Sequence, residues 1–385
     1  MSFSLYIHIP YCQAKCPYCD FNSYAASAWP EADYTSALIA EIERRYIEAP
    51  FAGESLQTIF FGGGTPSLFA PESIGSILDV ANRRFGIERD AEITLEANPG
   101  TVDAAKLAGM RAAGINRISF GAQSFNDSTL KFLGRIHDAA QTREAAAMAH
   151  RAGFDRLNLD LIFAVPGQTL ASVISDIEQA AALGPDHISA YNLTFEEGTA
   201  FFTDLKRGRI KPLANDEQAA MYATVREELP RRGYAMYEIS NYAHPGREAR
   251  HNLTYWRAQT YLGIGAGAHS FALGSAGGGY GRRWWNERNP ARYIELAGND
   301  GMAEAGAEEI DAATGASEFV FLNLRLREGF ALRDFQARFG RSFDDVFGAR
   351  AARLIEGGLL LRESDRILLS DRGLELADSV FAEFV

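Results

Sequence analysis

Cysteine is nearly missing from this chain. Its 385 residues hold three, Cys12, Cys16 and Cys19, all in the stretch HIPYCQAKCPYCDF. Three thiols so close together cannot pair evenly or staple a protein of this size, which excludes a disulfide framework. No apolar run approaches the length of a membrane span, and the opening MSFSLYIHIP lacks a basic region followed by an apolar one. The expectation is a cytoplasmic protein, at most peripheral at the inner face of a membrane. Positive charge is also short: 38 Lys and Arg stand against 50 Asp and Glu, a net charge of −12. Nucleic-acid binders draw much of their affinity from a basic face, so no nucleic acid is expected as a partner. Internal repeats and low-complexity tracts are absent as well.

The three thiols that are present follow a C-x3-C-x2-C spacing. Soft thiolates at such spacing suit a metal or cluster. Iron–sulfur clusters usually take four cysteines; three would hold three irons of a [4Fe–4S] cube and leave the fourth open to a ligand. Zinc with His8 as fourth ligand is the competing reading. Structural zinc sites more often use two separated cysteine pairs, and no second pair exists.

Apolar, β-branched runs alternate with amphipathic stretches through the first half. Strands are predicted at Ser4–Ile9, Thr58–Phe61, Glu92–Glu96, Arg117–Phe120, Arg156–Phe163 and His187–Leu193. Helices are predicted at Tyr34–Ile47, Glu72–Phe85, Ala104–Ala113, Ala139–Ala152 and Ala171–Leu183. This alternation predicts an α/β fold with a parallel sheet. Six units are too few for an eight-fold barrel, so a partial (β/α)6 barrel is expected, with a doubly wound sheet as the alternative. The expected domains are a barrel over 1–230, an extension completing the core over 231–307, and a small C-terminal domain over 308–385.

Polar residues gather at the strand ends. The cysteine loop follows the first strand, Gly62, Gly63, Gly64 and Thr65 the second, and Glu96 and Asn98 close the third. Gly121 and Gln123 end the fourth, Asp160 lies in the fifth, and Tyr191 and Asn192 fall late in the sixth. Parallel α/β folds bind ligands at the carboxyl ends of their strands, so these groups should meet on one rim with the cysteine loop. Glycines in FFGGGTPS permit close approach of backbone to a ligand, and free N–H groups there could bind one; a tight strand-to-helix turn explains part of the run. Glu96 suits a ribose diol, because a carboxylate accepts from adjacent hydroxyls. Asp160 in an apolar strand is informative, since burying an unpaired charge is costly.

Regular alternation fades after Leu193. A helix is expected over Asp216–Leu229 and a strand or strand pair in YAMYEISNYA. The stretch Arg247–Phe271 is rich in His, aromatic and glycine residues, including His251 and His269; it reads either as a macrocycle site or as an aromatic lid. Gly274–Trp285 is expected to be a mobile loop whose Arg282, Arg283, Trp284 and Trp285 could meet carboxylates or propionates. Ser317–Leu326, Leu332–Phe339 and Phe347–Leu354 read as helices, Leu359–Ser370 as a hairpin, and a last helix follows Asp371. That order suggests a winged-helix-like module serving packing or interaction.

The cysteine spacing resembles the signature of the radical S-adenosylmethionine (SAM) superfamily. Within it, the whole chain resembles the HemN/HemW group through YIHIPYC-x3-C-x2-C-x-F, FGGGTPS, LEANPG, RISFGAQS, LGRIH, NLDLIFAVPGQ, SAYNLT, HNLTYW and GAGAHS. The resemblance implies a [4Fe–4S] cluster on Cys12, Cys16 and Cys19, with SAM bound to its open iron. It implies SAM contacts at Tyr6, Tyr18, Gly63, Gly64, Thr65, Glu96, Gln123, Arg135 and Asp160.

Oxygen-independent coproporphyrinogen III oxidases of this group carry a further cysteine where this chain has Phe21, and a longer segment before the motif than the eleven residues here. Both differences, and HNLTYW, match the HemW-type haem chaperones. That resemblance implies haem as ligand, with His251 as iron ligand and Asn252, Tyr255 and Trp256 shaping the site. It implies delivery to respiratory or other membrane haemoproteins through transient membrane contact. The alternatives are the decarboxylase itself and a radical SAM RNA-modifying enzyme.

Overall fold

In the computed structural model, which describes residues 2–274 and 280–385, one large sheet organises the chain. Six parallel strands form its centre: β1 (Ser2–Ile9), β2 (Ser55–Gly63), β3 (Ile87–Ala97), β4 (Arg117–Gln123), β5 (Leu157–Phe163) and β6 (His187–Asn192). Helices α1 (Glu31–Arg45), α2 (Pro71–Phe85), α3 (Ala104–Ala112), α4 (Asp127–Phe132), α5 (Ala139–Arg151) and α6 (Leu170–Ala182) fill the crossovers. Each predicted strand and helix of this half is present.

The strands alternate apolar and polar residues although they are parallel. Leu5, Ile7, Ile59, Phe61, Leu95, Ile118, Phe120, Leu157, Leu159 and Ile188 are fully buried toward the helices. The intervening positions carry Ser4, Tyr6, His8, Thr58, Glu92, Thr94, Glu96, Arg117, Ser119, Asn158, Asp160, His187, Ser189 and Tyr191. A strand's period of two sends these to the opposite face. A flat sheet covered by helices on both sides would be apolar on both faces; a polar face belongs to a lumen. This pattern is the physical basis of the partial barrel.

Helices α7 (Ala200–Lys206) and α8 (Asn215–Arg231) follow, then the antiparallel pair β7 (Ala235–Glu238) and β8 (Asn241–Ala243) that closes one edge. Helix α9 (Arg250–Trp256) leads into β9 (Tyr261–Ile264), a seventh strand parallel to β1, paired Tyr6 to Gly263. Strands β10 (His269–Leu273), β11 (Gly281–Asn286) and β12 (Glu304–Ile310) extend that edge antiparallel, with α10 (Pro290–Asp300) before β12. The full order is β12-β11-β10-β9-β1-β2-β3-β4-β5-β6-β8-β7.

Two expectations change here. Arg247–Phe271 contributes helix α9, strand β9 and the start of β10. Within Gly274–Trp285, residues 275–279 lie outside the described residues, but 281–286 is a strand and no loop. Trp284 is the reason: it is buried against Phe51, with the guanidiniums of Arg45 and Arg282 on its ring. Arg282 and Arg283 are already paired within the chain, to Glu304 and Glu309 and to Glu308 and Glu318.

A second apolar core sits in the C-terminal part, around Phe319, Phe330, Phe335, Phe343, Phe347 and Phe384. It is built from α11 (Ala312–Leu324), α12 (Leu332–Phe339) and α13 (Phe343–Glu356), with α14 (Asp371–Glu375) and α15 (Ala377–Ala382). A three-stranded sheet completes it: β13 (Phe330–Ala331), β14 (Leu360–Glu363) and β15 (Arg366–Leu369), in the order β13-β15-β14. The predicted hairpin turns between Glu363 and Arg366. Among the described residues no helix is long and apolar enough to cross a membrane.

Candidate functional site

The cysteine loop leaves β1 at the carboxyl rim. Tyr11–Cys12 pairs with Tyr24–Ala25, and Lys15 Nζ ties the loop by donating to the Phe21 and Ser23 carbonyls at 3.1 Å each. Each thiol has a polar neighbour. Thr65 Oγ1 donates to Cys12 Sγ at 3.4 Å, Arg135 Nη1 to Cys16 Sγ at 3.2 Å, and Ser23 Oγ lies 3.9 Å from Cys19 Sγ. Burial pushes the Cys12 and Cys19 thiols up. Among the described residues no group of three His, Cys, Asp or Glu converges on a single metal ion. His8 does not complete a zinc site: Nδ1 meets Tyr6 Oη at 2.9 Å and Nε2 the Asn22 carbonyl at 2.8 Å. Three thiols with a hydroxyl or cation beside each, and no fourth, are a donor set that fits a cluster with one open iron.

The glycine turn is clamped under this loop. Gly63 has φ 111°, and a Cβ there would strike the His8 ring; one on Gly64 would lie 2.6 Å from the Tyr11 carbonyl oxygen. Only glycine fits either position. The amide groups expected to be free are engaged: Gly63 N–H by Glu96 Oε2 at 3.2 Å, Gly64 N–H by the Ile9 carbonyl, and Thr65 N–H by the Tyr11 carbonyl. The Glu96 carboxyl and the carbonyls of Ile9 and Tyr11 have taken these three donors, so the turn shapes the rim.

Glu96 and Asp160 project into the lumen from β3 and β5. Burial, then repulsion by Asp160, pushes Glu96 up to about 8; the Gly63 amide and Arg117 oppose the shift. Asp160 is raised by burial, although Asn158 Nδ2 donates to it at 2.8 Å and Ser119 Oγ at 3.3 Å. Beneath them Arg117 is buried, and its Nε has no hydrogen-bond partner. Gln123 ends β4 at a register shift with positive φ, 67°. Arg135 bridges loop and barrel, donating to the Tyr18 hydroxyl at 3.4 Å and the Gly121 carbonyl at 2.9 Å. Tyr6, Tyr18, Gly63, Gly64, Thr65, Glu96, Gln123, Arg135 and Asp160 thus lie along the rim and upper lumen. The deeper lining residues, Arg117 among them, escaped the sequence reading. The polar alternation in parallel strands was the signal available for them.

HNLTYW sits elsewhere. Helix α9 plugs the floor of the lumen, where His251 is 1% exposed. Its Nδ1 meets Thr58 Oγ1 at 2.8 Å, its Nε2 meets Tyr255 Oη at 2.8 Å, and its ring stacks on Phe60. Burial lowers its pKa to about 3, so the ring is neutral. Glu92 accepts from the His251 and Arg250 amides, capping the helix start. Trp256 lies under the Arg325 guanidinium at 4.3 Å, docking the C-terminal module. Asn252 is half-buried on the same turn. In this structure His251 has no nitrogen free for iron; coordination through either one would require its hydrogen bond to break. His251→Ala should therefore lower stability by about 2–4 kcal/mol, combining a cavity with two stranded hydroxyls. Urea unfolding checks it, and a loss below about 0.5 kcal/mol would contradict the plug.

A parallel partial barrel whose rim brings a C-x3-C-x2-C loop over lumen carboxylates defines a radical SAM protein, and the family model for the Radical SAM superfamily matches residues 6–180. The HemN C-terminal domain model matches residues 310–376. The chain belongs to the HemW family: it is 36% identical to "Heme chaperone HemW" of Bacillus subtilis over 99% of both chains. It is 37% identical to the Escherichia coli relative of that name, over 99% of this chain and 98% of the other. A bovine relative, "Radical S-adenosyl methionine domain-containing protein 1, mitochondrial", is 33% identical over 98% of this chain and 86% of its own length. The fold matches solved coproporphyrinogen III oxidase (HemN) from Escherichia coli with TM-score 0.84 at 23% identity, covering 100% of this chain and 90% of that one. Family membership implies a [4Fe–4S] cluster and SAM.

Proposed function

We propose that this protein is a haem chaperone that carries a [4Fe–4S] cluster and SAM, binds haem, and delivers it to membrane haemoproteins such as respiratory enzymes. The observation that carries the reading is end-to-end similarity above 35% to relatives named as heme chaperones. Likeness to the coproporphyrinogen oxidase is one of fold. Phe21 supports the same side. It stands where that oxidase group has a further cysteine, and it is 61% exposed beside the cysteine loop.

Cys12, Cys16 and Cys19 would hold the cluster, whose open iron and electron are what the group supplies when bound. Thr65, Ser23 and Arg135 orient and stabilise the thiolates through hydrogen bonds and charge. Glu96 would accept from the ribose hydroxyls of SAM, while Arg117 balances the two lumen carboxyls. Tyr6, Tyr18, Gln123 and Asp160 line the remaining wall, and Gly63, Gly64 and Thr65 keep the rim narrow. Haem transfer requires contact with the recipient at a membrane, which this reading assigns to transient peripheral association.

The test is anaerobic reconstitution of the cluster followed by hemin titration with and without SAM. Stoichiometric binding without conversion of coproporphyrinogen III is the expected result. Robust formation of protoporphyrinogen by the same preparation would overturn the chaperone reading in favour of decarboxylation.

A further inference from the structure

Six of the seven histidines hold at least one ring nitrogen in a hydrogen bond. His8, His137, His187 and His251 have both engaged. His150 and His244 each bond a carbonyl at the end of the barrel opposite the cysteine loop, at Leu183 and Gly233. His269 is different. It is exposed, and neither of its ring nitrogens makes a hydrogen bond among the described residues. Neither of its nitrogens, whichever tautomer it takes, is engaged by the protein among the described residues.

An indole ring and close-packed glycine backbone border it. His269 starts β10 at the rim, on the concave face shared with Phe271 and Tyr261, which pair directly across β9 and β10. Its ring stacks on Trp285, centroids 5.8 Å apart and planes at 28°. Trp285 in turn lies over Gly306, where a Cβ would come within 2.5 Å of the indole. On the other side, Gly263 stands between His269 and Tyr6 and lets the β10 backbone pack close, since a Cβ there would lie 2.0 Å from the His269 carbonyl oxygen.

A cation and apolar groups border the same spot. The backbone brings Arg288 close, because Gly267 N–H donates to the Glu287 carbonyl and Asn286 N–H to the Ala268 carbonyl. The Arg288 side chain is exposed and makes no hydrogen bond or ion pair among the described residues. Its carbonyl accepts from Asn22 Nδ2 at 3.0 Å and Tyr24 Oη at 3.2 Å, which ties this corner to the cysteine loop. Phe21 and Tyr24 on that loop are exposed.

We propose that haem binds at this rim, with His269 as axial ligand to its iron, Trp285 backing the imidazole, and Arg288 pairing a propionate. The site rests on the haem-chaperone reading and names where on the chain that cargo sits. Imidazole is a common axial ligand of haem iron, and a guanidinium pairs a carboxylate through two donors. Phe21 and Tyr24 supply apolar surface for a macrocycle edge. The arrangement places haem beside the cysteine loop at an open rim, from which cargo can leave without opening the barrel floor at His251.

The experiment is hemin titration of the reconstituted full-length protein by absorption and electron paramagnetic resonance. His269→Ala should weaken binding at least about tenfold and remove the imidazole-ligated iron signature, with iron–sulfur content and melting temperature unchanged. His269→Gly should regain the signature when imidazole is added. Arg288→Glu should weaken hemin binding with an unaltered spectrum and leave hemin dimethyl ester binding as in the parent. An identical spectrum and affinity for His269→Ala would overturn the site and leave the chaperone reading standing. Loss of the signature in a folded His251→Ala protein would also overturn it. Failure of the parent protein to bind hemin at all would overturn the reading, and the site with it.

Discussion

Replacing Cys12, Cys16 and Cys19 together by alanine is expected to take iron and acid-labile sulfide to background in the anaerobically reconstituted protein, with loss of the visible cluster absorption. The expectation is all-or-none because the chain has no other cysteine to substitute as ligand. Thiolates are the usual protein ligands of such clusters, and their softness matches the iron–sulfur core. The scaffold should survive. The loop is held by backbone bonds such as Tyr24 N–H to the Pro10 carbonyl and Ala26 N–H to the Cys12 carbonyl, and these do not involve sulfur. Unchanged iron and sulfide in the triple variant would refute the cluster assignment, whereas loss of folding by circular dichroism would refute the claim that the loop stands without it.

Glu96→Gln should weaken SAM binding to the reconstituted protein by about 10- to 100-fold, the worth of one charge-assisted hydrogen-bond pair. The parent affinity should also depend on pH. Burial, reinforced by Asp160, raises Glu96 to about 8, so at pH 7 the carboxyl is mostly protonated and the ionised acceptor is the minor form. Binding that favours the carboxylate then tightens about tenfold between pH 7 and pH 9, and Glu96→Gln removes that slope. Stability runs the other way. A carboxyl raised on folding stabilises fully below its unfolded value of 4.5, and this contribution is lost as pH rises through about 8. Calorimetric titration across this range checks both signs. An affinity independent of pH, or a Gln variant binding as tightly as the parent, would remove Glu96 from the SAM site.

Much of the barrel was legible because its strands and helices announce themselves locally. Each of the six strand predictions lies in an observed strand apart from a residue at one end, since short apolar runs between amphipathic helices admit few other pairings. The edge beyond β9 was not legible. Tyr261–Ile264 is four residues long, and its pairing with β1 and β10 makes it a strand. Gly274–Trp285 reads as a loop because of its run of glycines, yet Gly281–Asn286 within it is a strand. Packing of Trp284 into the main core and ion pairs across to β12 outweigh that propensity.

The sequence alone determined the superfamily and the half of the site that follows the strand ends. The spacing C-x3-C-x2-C is a local property, and the three thiols lie near one another because they share a single loop. What tertiary structure decided is which histidine is free. HNLTYW marks His251 as chemically interesting, but its environment is set by Thr58 and Tyr255, and helix α9 buries it at the floor. His269 lies in GAGAHS, which says nothing of its environment; it is left open on Trp285 because β10 and β11 pair in that register. Motif residues come from adjacency along the chain, whereas a ring nitrogen's availability depends on residues far away in sequence. The first is written locally, and the second exists only after folding.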